Sequence, residues 1–95
     1  MKELRLDVSA WRSSDDSYLA FFEAVGAPPG HGRNFNALRD SIVGGQINRI
    51  EVPYRIVLTN YSHLAASIKE SAENFVDLIT ELGREGVPVE IRTEG

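Results

Sequence analysis

The chain has no cysteine, one tryptophan, one methionine and two histidines among its 95 residues. Without cysteine there are no disulfides, no thiolate nucleophile and no sulfur-ligated metal. Neither His31 nor His63 has a second histidine three to five residues away, the spacing a zinc site uses. Basic residues are in the minority, 10 against 14 acidic, for a formal net charge of −4. A nucleic-acid binder carries the opposite balance; a cationic partner suits this one. No apolar run reaches the length of a membrane span. The N-terminus, MKELRLDV, alternates charged and apolar residues and has no signal-peptide block, so a cytoplasmic location is expected. GHG, from Gly30 to Gly32, lacks both the third glycine and the preceding strand of a dinucleotide fingerprint. No P-loop, nucleophile elbow, repeat or low-complexity tract is present.

What is there fits one small domain spanning residues 1–95. A chain of this size buries only about 60–65% of its unfolded surface, so a single modest core is expected. Leu4, Leu6 and Val8 alternate with Glu3, Arg5 and Asp7, a strand with one buried face. Ser13 to Val25 reads as a helix capped by Ser13 or Ser14, with Asp15 and Asp16 near its positive end. Its apolar stripe is Tyr18, Leu19, Phe22 and Val25, and Gly26 and Pro28 end it. After the loop Pro28 to Arg33, a second helix runs from Asn34, its N-cap, to Val43, where Gly44 and Gly45 stop it. The connection Gly44 to Pro53 is long for a small domain; Ile47, Ile50 and Val52 are expected to tuck under it as an ordered flap beside the second helix. Tyr54 to Thr59, with Ile56, Val57 and Leu58 consecutive, reads as the most buried strand. Ser62 is placed to cap a short helix, HLAASIK (63–69). Ser71 to Leu82 forms a longer helix with Ala72, Phe75, Val76, Ile79 and Leu82 inward, closed by Gly83 or Gly86. Val87, Val89 and Ile91 make a last strand, and Pro88 favours an edge. Strand, helix, helix, strand, helix, helix, strand implies an α/β fold with parallel pairing and helical crossovers.

The most informative stretch is GHGRNFNALRDSI, Gly30 to Ile42. Phe35, Leu38 and Ile42 line one helical face. Asn36, Arg39, Asp40 and Val43 fall on the other, with Asn36 and Asp40 one turn apart. A polar helix face beside a glycine-broken loop is a binding edge rather than a catalytic centre. A hydrolase built on His31 and Asp40 has no nucleophile beside them. In the last helix Glu73, Asp77, Glu81 and Glu85 recur every four residues, with Lys69 before the stripe and Arg84 beside its end. Like charges so spaced are mildly unfavourable, so the stripe is either a solvated face or one that steers a basic partner.

The run Gly32, Arg33, Asn34, Phe35, Asn36, Ala37-Leu38, Arg39, Asp40 resembles the binding loop and second helix of the barstar family, small intracellular inhibitors of bacterial secreted ribonucleases. SAENFVDLITELGREGVPVEI (71–91) is similar to the family's last helix and final strand. The resemblance implies a three-stranded parallel sheet covered by four helices, no enzymatic activity, no cofactor and no metal. It implies a partner that is a basic ribonuclease or a ribonuclease toxin domain, with no nucleic acid, no membrane and a monomeric chain. It places the partner-binding surface at Gly30, His31, Gly32, Asn34, Phe35, Asn36, Ala37, Arg39 and Asp40, with Glu81 from the last helix. Asp40 matches the aspartate that meets the phosphate-holding basic groups of the ribonuclease. Asn36 stands where the best-known family member has a second aspartate, Arg39 where it has tryptophan, and Gly30-His31 where it has two aromatics. These departures leave open a related interaction module or immunity protein whose partner is not a ribonuclease.

Overall fold

The structure is a computed structural model that describes residues 1–27, 32, 34–44 and 48–95. The order is β1 (Lys2–Asp7), α1 (Asp16–Val25), α2 (Phe35–Val43), β2 (Tyr54–Thr59), α3 (Lys69–Arg84) and β3 (Val89–Thr93). Three 3₁₀ turns join them, at Val8–Ala10, Tyr61–His63 and Ala66–Ile68. The strands form one parallel sheet in the order β1-β2-β3, with β2 paired to both neighbours. This is the expected α/β arrangement, with the Leu4 and Tyr54 strands parallel. Pro88 lies just before the edge strand β3 and so interrupts no ladder. No helix among the described residues is long and apolar enough to cross a membrane.

The inner sheet face carries Leu4 and Leu6 from β1, Tyr54, Ile56 and Leu58 from β2, and Val89 from β3, all buried. Against it pack Phe21 and Val25 of α1, Leu38 and Ile42 of α2, and Ala72, Phe75, Ile79 and Leu82 of α3. Phe21 is the hub, its ring centroid 6.2 Å from Tyr54 and 6.4 Å from Phe75. Trp11 closes the far side, edge-on to Phe75 at 6.2 Å.

Two expectations for α1 need correction. The helix starts at Asp16, and neither Ser13 nor Ser14 caps it. Instead the Asp16 carboxylate accepts the backbone N–H groups of Arg12 at 2.6 Å and Ser13 at 3.0 Å, fastening the turn that leads in. Those bonds hold its pKa below the usual carboxylate value. The core-facing residues are Ser17, Phe21 and Val25, while Leu19 is exposed. YLAFF offers two overlapping apolar stripes, and the helix turns the one that brings Phe21 onto Tyr54 and Phe75. The left-handed Gly26 ends α1 as expected, at φ 67°. A side chain there would also collide with Arg49, within 2.9 Å.

The fourth helix is not formed: the described residues hold three α-helices, and 63–69 is split between two 3₁₀ turns. Leu64 and Ala65 between them are extended. The C-terminus explains this. Tyr61 N–H donates to the Glu94 carbonyl at 2.9 Å, and the Ser62 hydroxyl is engaged by the Gly95 carbonyl rather than capping a helix. A seven-residue helix has too little cooperativity to compete with such anchoring. α3 runs longer than expected at both ends, and Gly83 lies within it; Gly86, at φ 98°, provides the turn beyond.

The outer sheet face is covered by charge rather than by helices. The register sets Glu3, Arg55 and Glu90 in one row and Arg5, Val57 and Arg92 in the next. Arg55 pairs with Glu3 at 3.2 Å and Glu90 at 3.1 Å, Arg5 with Glu94 at 2.6 Å, and Arg92 with Glu94 at 2.9 Å. Val57 is fully buried, with Arg5 and Arg92 as its register partners on either side.

Three outcomes follow from this packing. Phe21→Ala should cost about 3–5 kcal/mol in denaturant unfolding, whereas Leu19→Ala should change stability by no more than about 0.5 kcal/mol. Arg55→Met should lower the melting temperature at low salt, with the gap to wild type narrowing in about 1 M salt as screening removes the ladder's advantage. The Glu94 pKa is lowered by its hydrogen bonds to Arg5 and then Arg92. A carboxylate held down in the folded state stabilises it above the ordinary carboxylate pKa, and that contribution is lost as pH falls through the lower folded value. Thermal melts should therefore fall on acidification across that window, less steeply for Glu94→Gln.

Candidate protein-binding site

α2 is organised from its first turn. Asn34 has extended backbone, and its Oδ1 accepts the Ala37 N–H at 2.9 Å, so it is the N-cap expected. Gly32 sits beside this cap; a β-carbon there would stand 2.8 Å from the Asn34 amide nitrogen. Gly30 and His31 lie outside the described residues, as do Arg33, Gly45 and Ile47.

The inner side of α2 is seated by Leu38, Ser41 and Ile42, all buried. Asn48 donates its side-chain amide to the Ser41 carbonyl at 2.9 Å and the Ser41 hydroxyl at 2.8 Å. Its own backbone N–H is held by Glu51 at 2.8 Å. Ile50 N–H donates to the Val25 carbonyl at 3.0 Å, and Ile50 and Val52 pack on the core. The described part of the 44–53 connection thus straps α2 to the end of α1. Beneath it, Asn48 Oδ1, Glu51 Oε1 and the Tyr54 hydroxyl are buried without a hydrogen-bond partner among the described residues. Burial, and then the nearby Glu51, push the Tyr54 pKa up.

The outer side presents Asn36, Arg39 and Asp40, all exposed, with Ala37 half-buried. Phe35 departs from the three-residue core stripe: it is 47% exposed, edge-on to Tyr18 at 6.1 Å, and contributes to the outer surface. Between these rings and α3 lies a pocket of about 160 Å³ with Asn74 and Phe75 in its wall. The Asp40 carboxylate makes no hydrogen bond or ion pair among the described residues. It lies in the second half of α2, where the helix dipole disfavours an anion.

Arg39 does have a partner. Its guanidinium donates to Glu85 Oε1 at 2.8 Å, joining α2 to the C-terminal end of α3. The hydrogen bond Arg39 donates to Glu85, the charge of Glu85, and more weakly that of Asp40 hold Arg39 more firmly protonated than usual. Glu81 is exposed one turn earlier on α3, 3.5 Å from Arg84. Arg39, Asp40 and the end of the acidic stripe therefore form one continuous surface. The Arg39–Glu85 contact was not legible in the sequence: the residues are 46 positions apart, and only the stripe marked Glu85. Ser41 and Asn48 have no local signature for a similar reason, since their contact joins residues seven positions apart across the end of the helix. Among the described residues no group of three His, Cys, Asp or Glu side chains could share a metal ion.

No curated protein matches the chain. A protein family does: the one described as Barstar (barnase inhibitor) matches residues 1–94. That match spans the parallel sheet, the capped helix and the acidic last helix together, and the chain belongs to the barstar family.

Proposed function

We propose that this chain is a proteinaceous inhibitor of a basic ribonuclease, either a secreted enzyme held in check in the cytoplasm before export or a ribonuclease toxin domain. The segment Gly30–Val43 covers the active-site groove, and Asp40 takes the place of substrate phosphate. The observation that carries this reading is the exposed Asp40 carboxylate, without a partner among the described residues and set where the helix dipole disfavours it. A charge that the fold does not use, kept at a small cost in stability, is what a binding anchor looks like. Several basic groups can donate to one carboxylate at once, giving short, strong hydrogen bonds. Inhibition here is occlusion: the chain supplies shape and charge, and no residue of it reacts. Asn34 sets the angle at which the helix meets its partner, Phe35 and Asn36 flank the anchor, and Glu81 adds an acidic contact at the rim.

A second reading has its own support. Asn36 is neutral, and Arg39 brings a cation next to the anchor, already paired within the chain. Such a mixed face also suits an immunity protein whose partner is not a ribonuclease.

Asp40→Ala separates function from fold. Inhibition of barnase, and of basic ribonucleases encoded beside the chain's own gene, should weaken by well over about tenfold, since truncating a buried, paired interface charge leaves the partner's cations stranded. The melting temperature should be unchanged or slightly higher. A folded Asp40→Ala protein that inhibits as well as wild type would refute the anchor. Retained binding to a non-nuclease partner, with no inhibition of any ribonuclease, would favour the second reading.

A further inference from the structure

We propose that Glu85 is a positioning residue for the Asp40 anchor and that it acts by clamping Arg39. The inference rests on the reading of the α2 outer face as the surface that meets a basic ribonuclease. Arg39 precedes Asp40 in the helix and feels its charge. A guanidinium on a long flexible stem, if released, would do one of two things near the anchor. It would swing across the Asp40 carboxylate and neutralise it, or it would project into the incoming cationic groove and repel it. Both outcomes weaken recognition of a basic partner. The structure shows neither, because Glu85 holds the guanidinium at 2.8 Å from the opposite element, the end of α3. Arg39 is 47% exposed and Glu85 41% exposed, so the pair sits at the surface where a partner would meet it.

The geometry explains the particular place of Glu85. It is the last acid of the stripe Glu73, Asp77, Glu81, Glu85, and it occupies the C-cap of α3. An acid at a helix C-terminus is unfavourable with respect to the dipole. Its cationic neighbour on α2 offsets that. Exposed ion pairs contribute little to folding, so the value of this one lies in where it keeps the Arg39 charge. Glu85 is accordingly more than one of four steering charges. Steering acts through the summed field and is indifferent to which acid is removed, whereas clamping is specific to Glu85 and passes through Arg39.

A double-mutant cycle distinguishes the two. Barnase is the probe, with association and dissociation followed by stopped flow and titration calorimetry at low salt. Glu85→Gln should weaken binding by about tenfold in the wild-type background, the scale of one misplaced charge at an interface centre. Arg39→Ala supplies the background in which nothing is left to clamp, and its own affinity is the reference for that arm of the cycle. Glu85→Gln added to Arg39→Ala should cost no more than about twofold, because nothing remains to be clamped. Glu81→Gln should show the same modest loss in both backgrounds, as a charge outside the clamp. An equal cost of Glu85→Gln with and without Arg39 would overturn the clamp. If Asp40→Ala then still abolished binding, the reading of the face would survive. If wild type, Arg39→Ala and the double variant all failed to bind barnase, while remaining folded by thermal melts, the clamp would fall together with that reading.

Discussion

Everything in this fold depends on the parallel pairing of β2 between β1 and β3. Parallel neighbours cannot be joined by tight turns, so the chain must leave the sheet and return after each strand. α1 and α2 occupy the first return and α3 the second. The inward side chains of all three helices meet the same sheet face, where Tyr54, Ile56 and Leu58 of β2 lie at the centre of the core. α2 is thereby placed at the surface with only Leu38, Ser41 and Ile42 committed inward. Asn36, Arg39 and Asp40 on its other side stay exposed because the core has no use for them.

The same pairing creates a problem on the other side of the sheet. Two helical crossovers do not suffice to cover both faces of the strands in a chain this short. The outer face is solved with charge. Rows of Glu-Arg-Glu and Arg-Val-Arg, set across three strands by the parallel register, place opposite signs next to one another. Val57 is buried without a second layer of secondary structure. One face thus rests on hydrophobic burial and the other on local charge pairing.

Much of this was legible in the primary structure. The alternation in β1, the apolar run of β2, the glycine after α1 and the Asn34 cap each report a local constraint, and each appears where the residues placed it. The errors came where the outcome depended on distant residues. The stripe of Tyr18, Leu19, Phe22 and Val25 is the more apolar in sequence; burial of Ser17, Phe21 and Val25 instead follows from the contacts of Phe21 with Tyr54 and Phe75. The helix expected at 63–69 is lost to the C-terminal residues, because Glu94 and Gly95 claim Tyr61 and Ser62. At the candidate site, Asn36, Arg39 and Asp40 stand out as a polar face on periodicity alone, whereas Phe35, grouped by the same periodicity with Leu38 and Ile42, lies half exposed. That Arg39 is held from α3, and that Ser41 is held by Asn48, are tertiary facts with no local signature. The role proposed for Asp40 rests on the resemblance more than on any spacing.

The central claim is that the outer face of α2 occupies the place of substrate in a ribonuclease. Competition tests it most directly. The affinity of the chain for barnase should be measured by calorimetry across a series of concentrations of a mononucleotide bound in the ribonuclease active site. The account predicts mutually exclusive binding, the apparent dissociation constant rising in direct proportion to nucleotide once the site is saturated. Undiminished affinity at saturating nucleotide, with both bound at once, would contradict it.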